Sequence, residues 1–564
     1  MRLMNKLTVL LCAAIAFASV SWASKTPSYT GDIVIYGGTS GGVVAAISAA
    51  KSGKKVYLVS PDMELGAMTT SGLGMTDSGN TQAIGGLARE FYKRVYKEYL
   101  KPQNWYAQKR EDFKGRGQGT KAIDNDEKTQ WIFEPRIATW VYNHWLGEYP
   151  NIIVHRGEYL DRENGVEMSN KRIKSITTLS GKKYSAKMFI DATFEGDLMA
   201  AAGCEYTVGR EGNAKYNEDY NGFRNSLRHN YHNFTVKVDP YRIKGDKSSG
   251  LLKYISDDEP LENGAADKRI QAYNYRMCLT SYEPNKLPLE KPDNYDPQDY
   301  ELCGRWFEAY PEAWPLIISQ MPNEKTDINN RQAFSTDFIG QNYDYPEASY
   351  EERAKIAKAH KDYHLGLLYF WKTDPRTPKA FKEKIMNLGL PKDEFQSSGH
   401  WPFYMYIREA RRLVGDYVMT QHDCQNTKIT PDSVGMGSYT LDSHNASRYV
   451  DADGYVQNEG DVQVSIRNTG PYMISYGSII PKREDCRNLY VVCAVSSSHI
   501  AYGSIRMEPV FMILGQSAAT AAAQCIDTNR DVQDIDVKAL ARTLRKNGQI
   551  LTKGDIAARA NKKK

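Results

Sequence analysis

The chain has 564 residues, 41% of them hydrophobic and 25% charged. That length exceeds what one core fills, and the composition excludes a disordered or fibrous protein. The net charge of +5, with no basic stripe beyond the terminal Asn561-Lys562-Lys563-Lys564, excludes a nucleic-acid binder.

Residues 1–23 have the form of a secretory leader. Arg2 and Lys6 precede an uncharged apolar run from Leu7 to Val20, and Ser21-Trp22-Ala23 offers small residues for cleavage. The run is shorter than the roughly 20 residues a spanning helix needs. No later stretch reads as a membrane span, so a secreted or periplasmic chain cleaved near Ala23 is expected. The seven later cysteines lack the tight spacing of a disulfide framework or a zinc site.

Residues 32–61 then read as strand, glycine turn, helix and second strand. The apolar DIVIY suits an interior parallel strand. Gly37-Gly38-Thr39-Ser40-Gly41-Gly42 keeps the outer glycines of a G-x-G-x-x-G dinucleotide cradle, with Thr39 in place of the middle one. The Thr39 hydroxyl is a potential donor to phosphate, and the following helix start offers free amides to the same anion. The second strand ends at Ser60, where such folds usually carry an acid for the ribose. Residues 63–80 follow with Gly66, Gly72 and Gly74, a small-residue path fit to run beside a flat ring.

Residues 152–209 read as short strands, ending in MFIDATFEGDLMAAAG, where a strand enters a tight Asp191-Ala192-Thr193 turn. Residues 211–480 are rich in Tyr, Trp, Asn, Asp and Pro, with helical patches expected at 350–373 and 403–421. Residues 488–526 read as a strand to Val495, a polar loop with Arg506, and a small-residue helix from near Pro509.

These pieces together resemble the FAD-dependent oxidoreductase family of secreted bacterial enzymes. The blocks that carry the likeness are GGTSGG, LGAMTTSGLGMTD, DATFEGDLMAAAG and SIRMEPVFMILGQSAATAA, with TDINNRQAFSTDFIG and DSVGMGSYTLDSHN between them. Ser60, Ala67 and Ala519 depart from that family's usual glutamate, glycine and glycine. The resemblance implies an α/β fold: a Rossmann-like FAD-binding domain of the glutathione reductase type with an inserted α+β substrate domain. The expected boundaries are 24–209 and 481–564 for the two parts of the FAD domain and 210–480 for the insertion. It further implies that Gly37 to Gly42 hold the pyrophosphate and that Ser60 meets the adenosine ribose. Gly66, Ala67 and Met68 would run along the flavin, Asp191 to Thr193 would close the adenine side, and Gly515, Gln516 and Ser517 would present backbone amides to the pyrimidine ring. Arg506 would assist there, because reduced flavin carries negative charge near N1.

Oxidising a hydroxyl needs a base as well as a hydride acceptor. His400, His444 and His499 stand in small, polar settings, and His499 lies on the flavin-side segment. Arg408, Arg411 and Arg412, on an expected helix, are positioned either to bind a substrate carboxylate or to pair with Glu409 and Asp416. His360 and His364 are four apart on another expected helix. A solvated face is the reading for them, and no metal site is expected. The 38 tyrosines, Tyr404 and Tyr406 among them, suit either sugar stacking or packing. The expected activity is hydride transfer from a small organic substrate, a carbohydrate hydroxyl, to flavin N5, with an electron acceptor the sequence does not name. Members of the family are sometimes labelled xanthan lyases, so a polysaccharide lyase is the rival. A binding protein that keeps flavin as a structural element is the third reading.

Overall fold

The computed structural model describes residues 27–115, 121–226 and 232–561. The expected leader lies outside them. Strands β1 (Ile33–Tyr36) and β2 (Val56–Ser60) are buried along their whole length, and helix α1 (Ser40–Lys51) joins them. α1 is buried at every position but its last, which is why its sequence is a run of Gly, Ala and Val with little polar face. Helix α2 (Gly86–Glu98), strand β3 (Ile152–Arg156), strand β4 (Met188–Asp191) and the short helix α3 (Asp197–Ala201) follow.

The middle of the chain supplies the antiparallel hairpin β5 (Leu316–Met321) and β6 (Lys325–Asn330), helix α4 (Tyr350–Thr373) and several two-stranded pieces. The last segment returns with strand β7 (Leu489–Val491) and helices α5 (His499–Ile505) and α6 (Glu508–Thr528). β7 pairs with β4, so the parallel sheet has the order β7-β4-β1-β2-β3 and draws on both ends of the sequence. Its register sets Val491, Asp191, Tyr36 and Val59 in one row. The turns leaving β1, β2 and β4 therefore share one edge, the carboxyl edge where open α/β sheets bind ligands. α6 is apolar and long enough to span a bilayer by composition, but 89% of its apolar window is buried here as a core helix.

Three local expectations change. Residues 403–420 are not helical: the segment is irregular, with one short strand at Arg412–Leu413, and a four-residue helix begins only at Gln421. The reason lies in its charges. Arg408, Glu409, Arg411 and Arg412 are all buried, and the arginines reach different acidic groups from separate parts of the chain. One helical face cannot serve those directions at once. The second change concerns His360 and His364, which lie on α4 as expected but on its buried side. Burial lowers their ring values to about 3 and about 4. The third is the strand expected to reach Val495, which ends at Val491.

Candidate active site

The glycine turn is held by its neighbours on the carboxyl edge. Gly37 has φ 113°, and a Cβ there would come within 2.6 Å of the Ala192 backbone. A Cβ on Gly42 would collide with the Gly37 carbonyl. Thr39 caps α1: its Oγ1 accepts from the Gly42 amide at 3.2 Å and donates to the Ala192 carbonyl at 2.7 Å. The hydroxyl proton expected to reach phosphate is thus engaged with the turn after β4. Asp191 shapes that turn, accepting from the Thr193 amide, the Thr193 hydroxyl and the Met199 amide at 2.7–2.9 Å. Burial still pushes its carboxyl up to about 6.

Gly37, Gly38, Thr39 and Thr193 border a cavity of 160 Å³ together with Asp62, Tyr159, Glu195, Arg353 and Tyr404. Ser60 is beside it: Gly38 leaves room for the Ser60 side chain, and Ser60 Oγ accepts from the Asp62 amide at 3.1 Å. The carboxylate missing at the end of β2 therefore stands two residues on, at Asp62. Burial, then Glu195, raises it to about 7. A glycine-lined crevice at a helix start suits a diphosphate, because the first amides of a helix have no partner within it.

Gly66 follows the same edge. Its amide donates to the Gly38 carbonyl at 2.7 Å, and its φ of 101° starts a tight turn through Ala67 and Met68. Ser71 then accepts from the Tyr404 amide at 2.8 Å, bringing this path against the middle segment. Ser40, at the start of α1, donates to the carboxyl of Glu508, at the start of α6. Glu508 lines a small void with Thr69, Asp77, Tyr92 and Tyr406, and burial pushes its carboxyl to about 8.

Gly515, Gln516 and Ser517 have a different task from the expected one. They lie in the interior of α6, where amides bond within the helix and are not offered to a ring. A Cβ on Gly515 would collide with the Gly41 carbonyl, so this glycine lets α6 cross α1 closely. Gln516 accepts from the Leu87 amide at 2.7 Å, and Ser517 donates to Val434 at 2.6 Å. Arg506 is buried, donating to Tyr406 Oη at 2.9 Å and to the Asp442 carbonyl at 3.1 Å.

A second, polar cavity of 370 Å³ lies beyond this passage. Asp77 and Tyr406 border both it and the void at Glu508. His444, His232, Arg276, Asn330, Tyr439 and Asp442 also line it. Of the three histidines expected as bases, His444 is the one on a cavity wall. Its Nδ1 lies 2.8 Å from Asp337 Oδ2, and Arg408 Nη1 lies 2.9 Å from Asp337 Oδ1. Burial and then the Arg408 charge lower the ring to about 3, while burial of Asp337 is outweighed by Arg408 and His444, which hold it below the usual carboxylate range. Around this cavity, Arg506 Nε, Asp442 Oδ1 and Asn329 Oδ1 are buried without a partner among the described residues.

His499 and His400 are elsewhere. His499 is buried with Nδ1 2.7 Å from Glu409 Oε2 and Nε2 3.0 Å from Ser443 Oγ, so both ring nitrogens are engaged. His400 lies 3.1 Å from the Glu394 carbonyl, away from both cavities. Arg411 pairs with Asp197 and Glu347, and Arg412 with Glu211 and Glu409, which leaves neither for a substrate carboxylate. Glu134, Asp393 and Glu394 gather at metal-binding separation, but the Lys325 ammonium sits among them at 2.6–2.9 Å. A larger cavity of 680 Å³ shares Ile317 and Arg331 with the polar one and contains none of the expected site residues. Sequence reasoning missed Asp337, Glu508, Asp62, His232 and Asp442. Asp337 and Asp442 did lie in quoted blocks, without a signal that they meet His444.

The sequence profile of the FAD dependent oxidoreductase family matches residues 32–544. No curated protein matches the chain. Among solved structures, it is similar to a mutant E. coli quinol fumarate reductase FrdA: 11% identity, TM-score 0.33, 92% of this chain and 74% of that one. It is also similar to a geranylgeranyl bacteriochlorophyll reductase-like protein of Thermoplasma acidophilum: 11% identity, TM-score 0.31, 93% of this chain and 85% of that one. With the Diels-Alderase PyrE3 of pyrroindomycin biosynthesis it shares 13% identity at TM-score 0.23, over 32% of this chain and 36% of that one. The chain thus spans about a third of that protein's length. A profile that runs from β1 almost to the last residues of the fold, over a glycine turn on the edge of a parallel sheet, settles the family: this chain belongs to the FAD dependent oxidoreductases, and its cofactor is FAD.

Proposed function

We propose that the polar cavity receives a small hydroxylated substrate of the carbohydrate class and that His444 takes the hydroxyl proton as that carbon is oxidised. The observation that carries this reading is the Arg408–Asp337–His444 line ending on the cavity wall. FAD, when bound, supplies the hydride-accepting centre. Gly37, Gly38 and Thr193 would hold its diphosphate, and Ser60 with Asp62 its adenosine ribose.

The remaining chemistry belongs to side chains. His444 with Nδ1–H donated to Asp337 carries its lone pair on Nε2, and its low value keeps the ring neutral at physiological pH. Neutral is the state from which a base starts. When the ring takes a proton, Asp337 stands behind it as the counter-charge, and Arg408 keeps that carboxylate ionised. Tyr406, Tyr439, Asn330 and Asp442 present donors and acceptors that fix the orientation of a polyhydroxylated ring. The leader expected at residues 1–23 supports this reading, since it would export the chain to where extracellular carbohydrate is met.

The test is anaerobic reduction of the bound flavin by sugars, followed by its bleaching. Wild-type protein should bleach. His444→Gln should keep its flavin absorbance and bleach about 10²–10⁴-fold more slowly. Bleaching of that variant at the wild-type rate removes His444 from the reaction. An unsaturated, ultraviolet-absorbing product formed without bleaching would replace oxidation with lyase chemistry.

A further inference from the structure

Asp442 reaches the wall of the polar cavity from a short strand, Leu441–Ser443. Its Oδ1 is buried without a partner among the described residues, and its Oδ2 has Arg506 Nη2 at 3.5 Å and His444 Nε2 at 3.9 Å. Both distances exceed those of a normal hydrogen bond. His444 is in the same position on its cavity side. Its Nδ1 is engaged by Asp337, while Nε2 has no hydrogen bond among the described residues.

A buried carboxylate without hydrogen bonds is costly, and native folds leave few such groups. What this wall lacks is donors, not charge. Asp442 has Arg506 beside it, as Asp337 has Arg408 and Asp327 has Arg276. Burial pushes the Asp442 carboxyl up to about 6 against the pull of Arg506, so it is ionised at neutral pH and acts only as an acceptor. A neutral ligand with two O–H groups close together satisfies Oδ2 and Nε2 at once. A cationic amine would bring its charge against Arg506.

We propose that Asp442 is a specificity-determining residue that accepts the hydroxyl next to the one oxidised, so that the substrate is a vicinal diol. One hydroxyl donates to His444 Nε2 and gives up its proton there. Its neighbour donates to Asp442 Oδ2 and stays intact, held by the hydrogen bond alone. The diol loses a hydride to FAD and a proton to His444, and leaves as an α-hydroxy carbonyl compound. The inference rests on the reading of the polar cavity as the substrate site with His444 as base. It adds a demand that an isolated alcohol cannot meet, because a lone hydroxyl satisfies one acceptor and leaves the other bare.

The test compares two isomers, cyclohexane-1,2,3-triol and cyclohexane-1,3,5-triol, whose hydroxyls are adjacent only in the first. Binding to full-length, flavin-loaded protein is followed by ligand-observed NMR titration, which needs no turnover. The 1,2,3 isomer should bind about 10–100-fold more tightly. In Asp442→Leu the two affinities should become equal. In Asp442→Asn part of the preference should remain, since the amide oxygen still accepts. Equal affinities in the wild type, a preference that survives in Asp442→Leu, or tighter binding of cyclohexylamine than of the 1,2,3 isomer overturns the proposal. The wild-type comparison decides it even if the leucine variant does not fold. Flavin absorbance is read anaerobically in the same samples. Preferential binding without bleaching places the failure in the proposed oxidation and not in recognition by Asp442.

Discussion

Ala67 stands at φ 45°, a left-handed conformation in which a side chain crowds its own backbone, directly after Gly66 at φ 101°. Such a residue costs about 1–2 kcal/mol relative to glycine, partly offset by glycine's greater freedom in the unfolded chain. Ala67→Gly should therefore raise stability by roughly 0.5–1 kcal/mol, read as a higher urea midpoint; an unchanged or lower midpoint removes the strain argument. Glu508 makes a different residue-scale prediction. A carboxyl whose value rises from 4.5 when free to about 8 when buried holds its proton more tightly in the folded state. Its contribution is fullest below pH 4.5 and declines as pH rises to about 8, by at most about 1.4 kcal/mol per pH unit. Glu508→Gln should flatten the fall in melting temperature across that window relative to wild type. Parallel curves for the two proteins would mean that Glu508 ionises freely.

At the scale of elements, α1 and α6 cross at a point where neither tolerates a side chain. Gly515 meets the carbonyl of Gly41, and backbone cannot swing aside as a flexible side chain would. Gly515→Ala should cost about 1–3 kcal/mol and lower the flavin content of the purified protein, because α1 begins at the glycine turn. Retention of both melting temperature and flavin would show that the helices separate without disturbing that turn. The same crossing explains an error of reading. Local sequence shows a small-residue helix equally well whether its glycine faces a cofactor or another helix. Only the partner's position distinguishes the two, and α1 lies hundreds of residues away. The expected helix at 403–421 failed for a related reason: its spacing of charges satisfies helical periodicity, yet each arginine finds its acid on a different element.

On the whole-molecule scale, the site is assembled where the sheet's carboxyl edge meets the middle segment. Gly37, Asp62, Thr193 and Glu195 come from the sheet, while Tyr404 and Arg353 come from the middle. His444 meets Asp337 across 107 residues and Arg408 through it. Substituting His444 tests that assembly in the reaction. By itself the sequence determined the strand–turn–helix start, the turn at Asp191, the helix from Glu508 and the family, because these depend on neighbouring residues and hydrophobic periodicity. Tertiary structure alone decided which of the expected histidines reaches a cavity, that Thr39 caps instead of facing phosphate, and that Asp62 borders the glycine-lined cavity. Buried polar groups take whatever partner the fold brings within about 3 Å, and no local pattern records that choice.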